Sequence, residues 1–149
     1  LVMDVLHDDL IPMLVSLLLG TLVGLERQMG RKPAGLRTHV LVCIGSTMFV
    51  LTTRHAVSAF GGPSLDATRI VHGVVTGVGF LGAGSIMRTE GFVFGLTTAA
   101  SVWMVAAIGV AVGVHAYPLA AIGAVMALIV LEGYRWLERM TDNDSEGGE

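Results

Sequence analysis

Long apolar stretches alternate with short charged segments along this chain. Four stretches contain no Asp, Glu, Lys or Arg, namely residues 10–25, 38–53, 70–87 and 91–131. A helix that spans a bilayer needs about 20 mostly apolar residues, and flanking charged side chains reach the headgroups where a stretch is slightly short. The last stretch is long enough for two helices that turn near residues 113–118. The pattern predicts five transmembrane helices, at about 10–25, 38–57, 67–87, 96–112 and 118–137.

Composition favours the same class of protein. The chain is 53% hydrophobic and only 14% charged, whereas a soluble domain carries about 25% charged residues. A soluble α/β domain of this length could not cover so much apolar surface. The sequence therefore predicts an all-α integral membrane bundle, with a transmembrane domain at 1–139 and a disordered acidic tail at 140–149.

Three simpler features exclude other classes. The single cysteine, Cys43, lies in an apolar stretch and excludes both an intramolecular disulfide and a multi-cysteine metal site. The net charge is −3 and no long basic run exists, so nucleic-acid binding is not expected. No arrangement of nucleophile, base and acid is evident, and we expect no enzymatic activity.

The basic residues predict the orientation in the membrane. Short basic loops stay in the cytoplasm, and the segment 26–37 is the densest basic part of the chain. This places the N-terminus outside and the C-terminus inside, with the outer segments holding only Arg54 and Arg69. In a four-helix alternative, the first stretch lies at the membrane surface. That alternative brings these two arginines to the side of the basic loop only if the second helix is abandoned.

Glycines are concentrated in the helices. Gly77-x-Gly79-x-x-Gly82 matches the dinucleotide-binding fingerprint, but that fingerprint requires a strand before it and a helix after it in a soluble sheet. Here an uncharged helix surrounds it, so the glycines are interpreted as surfaces on which helices approach closely. The glycines predicted to pack helices are Gly20, Gly24, Gly73, Gly77, Gly79, Gly82, Gly84, Gly109 and Gly113.

Charged and hydroxyl side chains at the predicted cytoplasmic ends form the candidate site. Ionisable groups in a membrane are costly to bury, so each is a functional candidate. Glu26 is expected to pair with Arg37 or Arg88, with hydroxyls lining one side. Snorkelling and helix capping are the structural alternative. The predicted polar cluster comprises Glu26, Arg27, Arg37, Thr38, Arg88, Thr97, Thr98 and Ser101.

The other membrane face is predicted to hold the charged pair Asp66 and Arg69. Capping of the third helix by Asp66 is the simpler explanation of that residue. Mg²⁺ prefers carboxylates and retained waters, and the helices offer only Glu26, Asp66 and Glu132, with Asp66 on the opposite side from the other two. No cofactor is therefore predicted, and whether Mg²⁺ binds is left open. The histidines show no metal-ligand spacing.

Three long motifs resemble those of the MgtC/SapB family of bacterial membrane proteins. The first is Gly24-Leu25-Glu26-Arg27 followed by Pro33-Ala34-Gly35-Leu36-Arg37-Thr38-His39. The second is Asp66-x-x-Arg69 followed by Gly77-Val78-Gly79-Phe80-Leu81-Gly82-Ala83-Gly84. The third is Gly95-Leu96-Thr97-Thr98-Ala99-Ala100-Ser101-x-Trp103 followed by Ala106-Ala107-Ile108-Gly109. The match covers roughly residues 10–132, nearly all of the predicted membrane part.

The resemblance implies a multi-pass protein of the bacterial inner (plasma) membrane that serves magnesium homeostasis and adaptation to low-magnesium stress. It also implies regulation of other membrane machinery, and we expect contact with lipid, with other membrane proteins and in a homodimer. A transporter or channel for Mg²⁺ or another small solute is the alternative. A better-known member carries a soluble C-terminal domain, which this chain is expected to lack.

Overall fold

The computed structural model describes residues 6–60 and 67–133. The described chain is a bundle of α-helices, as the sequence predicted. The helices are α1 (Ile11–Met29), α2 (Leu36–Phe60), α3 (Ala67–Gly84), α4 (Leu96–Gly113) and α5 (Tyr117–Leu128). Two π-helical turns extend the bundle, Leu6–Leu10 before α1 and Ile129–Gly133 after α5. Asp66, the segment 134–137 of the fifth predicted helix and the acidic tail at 140–149 lie outside the described residues.

Three helical segments of the described chain are long and apolar enough to cross a membrane. They are His7–Met29, Leu36–Ala56 and Leu96–Gly113, and a shorter apolar segment covers Tyr117–Gly133. Many large apolar side chains point outward from the bundle, as lipid-facing side chains do. Exposed examples are Leu18, Leu41, Phe49, Phe80, Leu119 and Ile122. The chain is therefore a membrane protein.

Helix boundaries differ from the predicted ones mainly where charged residues continue a helix. The first helix was predicted to end at residue 25, but α1 continues to Met29. In this extra turn the Arg27 side chain is buried within the bundle instead of reaching away from it. Pro12 lies in the first turn of α1 and Pro118 in that of α5. A missing N–H costs nothing at that position.

Helix α4 lies at the centre of the bundle and contacts α1, α2, α3 and α5. Glycines permit its close approach to α2. A Cβ atom on Gly109 would overlap the carbonyl oxygen of Cys43, and one on Gly113 would lie 2.6 Å from Cβ of Val50. The Thr47 hydroxyl donates a hydrogen bond of 2.8 Å to the Gly109 carbonyl. The centre of the bundle is thus held by backbone proximity as well as by apolar packing.

The connection between α3 and α4 is a β-hairpin, which the sequence analysis did not predict. Strand β1 (Met87–Thr89) pairs with β2 (Phe92–Phe94) in antiparallel register. The third helix was predicted to run to residue 87 but ends at Gly84. The turn residues Glu90 and Gly91 have φ of 45° and 90°. A two-residue type I′ turn requires positive φ at both positions.

Candidate functional site: a buried polar cluster at one end of the bundle

Two side-chain hydrogen bonds bring three helix ends together. Arg27, near the end of α1, donates from Nη2 to Oγ1 of Thr98 in the first turn of α4 over 3.2 Å. His39, in the first turns of α2, lies with Nε2 3.0 Å from Oγ of Ser101. The end of α1 and the starts of α2 and α4 are therefore at one level, here called the cluster end of the bundle.

Buried charge at this end is paired. The Arg27 and Glu26 side chains are 3% and 8% exposed, and Nη1 of Arg27 lies 3.9 Å from Oε2 of Glu26. An ionised group in an apolar interior requires an opposite charge and hydrogen bonds. Arg27 supplies the charge and Thr98 accepts one of its hydrogen bonds. Glu26, Arg27, His39, Thr98 and Ser101 are called the polar cluster from here on.

The His39 ring joins two helices through both of its nitrogens. Nδ1 lies 2.8 Å from the Gly35 carbonyl oxygen, which only accepts, so Nδ1 carries a proton. In the neutral ring, Nε2 then accepts from the Ser101 hydroxyl. That hydroxyl has a second acceptor, because the carbonyl oxygen of Thr98 lies 2.8 Å from Ser101 Oγ. The Ser101 proton therefore has two possible acceptors, and its position depends on the protonation state of His39.

The structure brings together four of the eight residues predicted for this site. Glu26, Arg27, Thr98 and Ser101 meet, whereas the remaining four have exposed side chains, namely Arg37, Thr38, Arg88 and Thr97. Glu26 was expected to pair with Arg37 or Arg88, and the structure places the guanidinium of its chain neighbour Arg27 3.9 Å from its carboxylate. Hydroxyl side chains were expected to line one side of the site. In α4 the buried hydroxyl residues are Thr98 and Ser101, three residues apart on one side of the helix.

His39 is the member of the cluster that the sequence analysis missed. The histidines were judged by metal-ligand spacing, and His39 has none. A different signal was available, because a polar ring at the start of an apolar helix needs an internal hydrogen-bond partner if it is buried. His39 is completely buried, and Gly35, one turn earlier, supplies the carbonyl.

Metal ligands are not assembled in the described part of the chain. Within residues 6–60 and 67–133, no group of three His, Cys, Asp or Glu side chains is placed to hold one metal ion. The polar cluster has one carboxylate, and the neighbouring guanidinium repels a divalent cation. Beside it, a surface depression of about 590 Å³ is lined by Gln28 and by Gly35 to Thr38.

The opposite end of the bundle has its own ionic contacts. Nη2 of Arg54 donates to Oδ2 of Asp8 over 2.8 Å, and Nε2 of His55 lies 2.9 Å from Oδ1 of Asp9. These contacts tie the Leu6–Leu10 turn to α2. The pair predicted here was Asp66 with Arg69. Asp66 is outside the described residues, and the Arg69 side chain is exposed.

The predicted packing glycines fall into two groups. Gly20, Gly24, Gly109 and Gly113 lie against α2, and a Cβ added to any of them would come within 3.0 Å of an atom of that helix. A Cβ on Gly82 would make ordinary contact with Ala99 at 3.6 Å. The other four face open space, since no described atom lies within 4 Å of an added Cβ: Gly73, Gly77, Gly79 and Gly84. The expected packing role of this second group is therefore not met within the described chain.

Comparisons with known proteins agree with the motifs. Residues 13–140 match the model of the MgtC family. YhiD of Escherichia coli (strain K12), whose description proposes magnesium transport, is 47% identical over 118 residues, which are 77% of this chain and 55% of YhiD. MgtC of Brucella abortus (strain 2308) is 44% identical over 116 residues, which are 77% of this chain and 46% of that protein.

A third relative extends the match over more of the chain. SapB of Bacillus subtilis (strain 168) is 34% identical over 143 residues, which are 92% of this chain and 61% of SapB. The chain thus spans about half of YhiD and MgtC. No solved structure matches it. The family model covers most of the chain, so this membrane protein belongs to the MgtC family.

Proposed function

We propose that this chain is a non-enzymatic protein of the bacterial inner membrane that acts by helix–helix contact with other membrane proteins, including a second copy of itself. In this proposal it serves magnesium homeostasis and adaptation to low-magnesium stress. All five helices span the bilayer, with the N-terminus outside and the C-terminus inside. Neither a cofactor nor nucleic acid takes part.

An open groove between α2 and α3 is the observation that carries the proposal. It has a volume of about 760 Å³. Leu41, Gly45 and Phe49 of α2 line one wall, and Gly73 and Gly77 of α3 line the other. Small residues let a neighbouring helix approach to backbone distance in a membrane, where packing and not the hydrophobic effect drives association.

The glycine faces of α1 and α4 are occupied, and this leaves α3 as the contact surface. Gly20 and Gly24 are packed against α2 from one side, and Gly109 and Gly113 from another. Of the small-residue faces in the described chain, the one at Gly73 and Gly77 remains available to a helix of another chain. The groove beside it supplies apolar walls for side chains of that helix.

The connection with magnesium rests on the relatives. The description of YhiD proposes magnesium transport, and the chain shares its family.

The distribution of charge supports the proposed orientation in the membrane, because the exposed cations Arg31, Lys32 and Arg37 lie at the cluster end. Cytoplasmic loops carry such an excess of Lys and Arg.

A photo-crosslinking residue in place of Phe49 tests the helix-contact function. In membranes of the native host grown at low magnesium, we expect the probe at position 49 to crosslink to protein. In the Gly77→Leu variant we expect these crosslinks to disappear, and we expect the host to lose the growth advantage that the unsubstituted protein gives at low magnesium. Gly79→Leu is the matched control, since Gly79 is also exposed on α3 but does not line the groove. Adducts with lipid alone, or normal growth of Gly73→Leu and Gly77→Leu variants, would contradict the proposal.

The second candidate function is a transporter or channel for Mg²⁺ or another small solute. The buried polar cluster favours it, because polar side chains inside a helical bundle mark many solute pathways. Purified protein in liposomes with an entrapped Mg²⁺-sensitive dye tests this function. Uptake that is lost in Glu26→Gln and kept in Arg37→Gln would establish it and displace the helix-contact proposal.

A further inference from the structure

The two faces of the β1–β2 hairpin differ in character. Cross-strand partners share a face, so Met87 with Phe94 and Thr89 with Phe92 form one face, and Arg88 with Val93 form the other. The Phe92 and Phe94 rings have centroids 6.4 Å apart. The first face is therefore a continuous apolar patch, and the second has a cationic side chain at its centre.

No described residue covers this apolar patch. Phe92 is 69% exposed, and Met87 and Phe94 are more than half exposed. A two-stranded hairpin is marginally stable in water unless its apolar face is packed against something. The hairpin therefore needs a cover that lies outside the described chain.

The hairpin cannot move far from the helix ends. Only Ser85 and Ile86 join α3 to β1, and only Gly95 joins β2 to α4. Gly95 is packed onto the Ser85 carbonyl, and Ser85 N–H donates to the Gly82 carbonyl over 3.0 Å. Because α4 begins at the cluster end, the hairpin is held where membrane-spanning helices end, at the level of the lipid headgroups.

The positive charge at this end of the bundle is complementary to an anionic lipid surface. The exposed cations at the cluster end are Arg31, Lys32 and Arg37 between α1 and the first turn of α2, and Arg88 on the hairpin. The acidic residue on the hairpin is Glu90, in its turn. Juxtamembrane cations are attracted to anionic headgroups by about 1 kcal/mol each. Phenylalanine occurs on the apolar face of amphipathic segments that lie at the boundary of headgroups and acyl chains.

We propose that the hairpin is an interfacial anchor. The face formed by Met87, Phe92 and Phe94 inserts at the boundary between the headgroups and the acyl chains, in the leaflet at the cluster end. Arg88, on the opposite face, meets headgroup phosphates and water. This inference goes beyond the proposed function, because it concerns lipid as the partner and uses none of the residues that line the α2–α3 groove.

Spin labels on the two faces test the anchor. In full-length protein with Cys43→Ala as background, Phe92→Cys and Phe94→Cys label the apolar face, and Arg88→Cys and Val93→Cys label the other. The protein is reconstituted in vesicles of phosphatidylcholine and phosphatidylglycerol. We expect the ratio of accessibility to oxygen over accessibility to a water-soluble nickel chelate to be several-fold higher at 92 and 94 than at 88 and 93.

Two results would overturn the proposal. Equal, high access of the nickel chelate to all four labels would place the hairpin in water. Labels at 92 and 94 that are shielded from both reagents would mean that protein, and not lipid, covers this face.

A second measurement guards against labels that disturb the hairpin. Phe94→Trp, in a Trp103→Phe and Trp136→Phe background, is expected to be quenched more strongly by lipid brominated near the headgroup than by lipid brominated near the chain end. Val93→Trp is the matched control and should be quenched weakly by both. Unquenched fluorescence of Phe94→Trp would refute the anchor. The groove variant Gly77→Leu should leave this quenching unchanged, so the two proposals fail independently.

Discussion

Single residues decide how closely the helices of this bundle approach one another. Gly109 brings the backbone of α4 against the Cys43 carbonyl of α2, whereas Gly79 on α3 faces open space. The same residue type therefore has opposite consequences at the two positions. In the first, the absent side chain is a packing requirement, and in the second it is a cost to helix stability.

Alanine substitution separates these two glycines. Gly109→Ala should destabilise the bundle by about 1–3 kcal/mol, because the new methyl group overlaps the Cys43 carbonyl and forces α2 and α4 apart. Gly79→Ala should raise stability by about 0.5–1 kcal/mol through higher helix propensity. Equilibrium unfolding in mixed detergent measures both. Equal effects at the two positions would contradict the close approach of α4 to α2.

The two arginines at the cluster end make the second residue-scale contrast. Arg27→Ala should cost about 3–5 kcal/mol, since it removes the cation 3.9 Å from buried Glu26 and the donor to Thr98. Arg37→Ala should change stability by less than about 0.5 kcal/mol, because that side chain is exposed. Thermal unfolding measures both changes in stability. Growth of the host at low magnesium is the second readout. A larger loss for Arg37→Ala would restore the pairing first expected for Glu26.

Sequence position identified the polar cluster only in part, for a geometric reason. Glu26, Arg27, Thr98 and Ser101 were predicted because each lies near the cytoplasmic end of a predicted helix. The rotation of each helix was not available from the same pattern, so Arg37 was chosen where His39 is the buried residue. Successive helical positions are about 100° apart, and a shift of two residues exchanges an inward for an outward side chain.

At the scale of elements, α2 and α4 form one of the two most extensive helix–helix contacts in the described chain. They are joined by Thr47 to the Gly109 carbonyl at 2.8 Å and by His39 to Ser101 at 3.0 Å. Both helices carry apolar residues on all sides. No single apolar stripe therefore indicates which side faces protein and which faces lipid. The presence of both helices was therefore predictable, but their contact was not.

A double-mutant cycle measures the hydrogen bond between these helices. His39→Ala and Ser101→Ala should each destabilise the protein, and the double variant should lose less than the sum, with a coupling free energy of about 1 kcal/mol. Thr97→Ala serves as control, because its side chain is exposed on the same turn of α4. Strict additivity of His39→Ala and Ser101→Ala would show that the two side chains do not interact.

The hairpin between α3 and α4 was not predicted because its strands are short. Strands of three residues are too short for an alternating pattern to stand out. The charged segment Met87 to Gly91 was interpreted as a plain break between helices. Positive φ at Glu90 and Gly91 turns that break into a paired ribbon. The apolar residues Phe92 and Phe94 lay between the third and fourth predicted helices, and they belong to the second strand of this ribbon.

At the scale of the whole molecule, the two ends of the bundle differ in charge. Exposed cations surround the cluster end, whereas Asp8 and Asp9 meet Arg54 and His55 at the other end. We expect a bundle with this asymmetry to take one orientation in the membrane, with the cation-rich end on the cytoplasmic side.

Cysteine accessibility in intact cells checks that orientation. With Cys43→Ala as background, Lys32→Cys should react with a membrane-impermeant maleimide only after the membrane is broken. His55→Cys should react in intact cells, because His55 is exposed at the opposite end. Reaction of Lys32→Cys from outside would reverse the proposed topology. Reaction of both from the same side would require an even number of spans between them.

The central position of α4 has a consequence for biosynthesis. Helices α1, α2 and α3 leave the ribosome before α4 does, yet α4 contacts every one of them. Until α4 arrives, His39 lacks Ser101 and Arg27 lacks Thr98, and the surface of α2 that receives Gly109 and Gly113 faces lipid or the insertion machinery. The first three helices are therefore a provisional assembly, and the entry of α4 is the step that commits the nascent chain to its final arrangement.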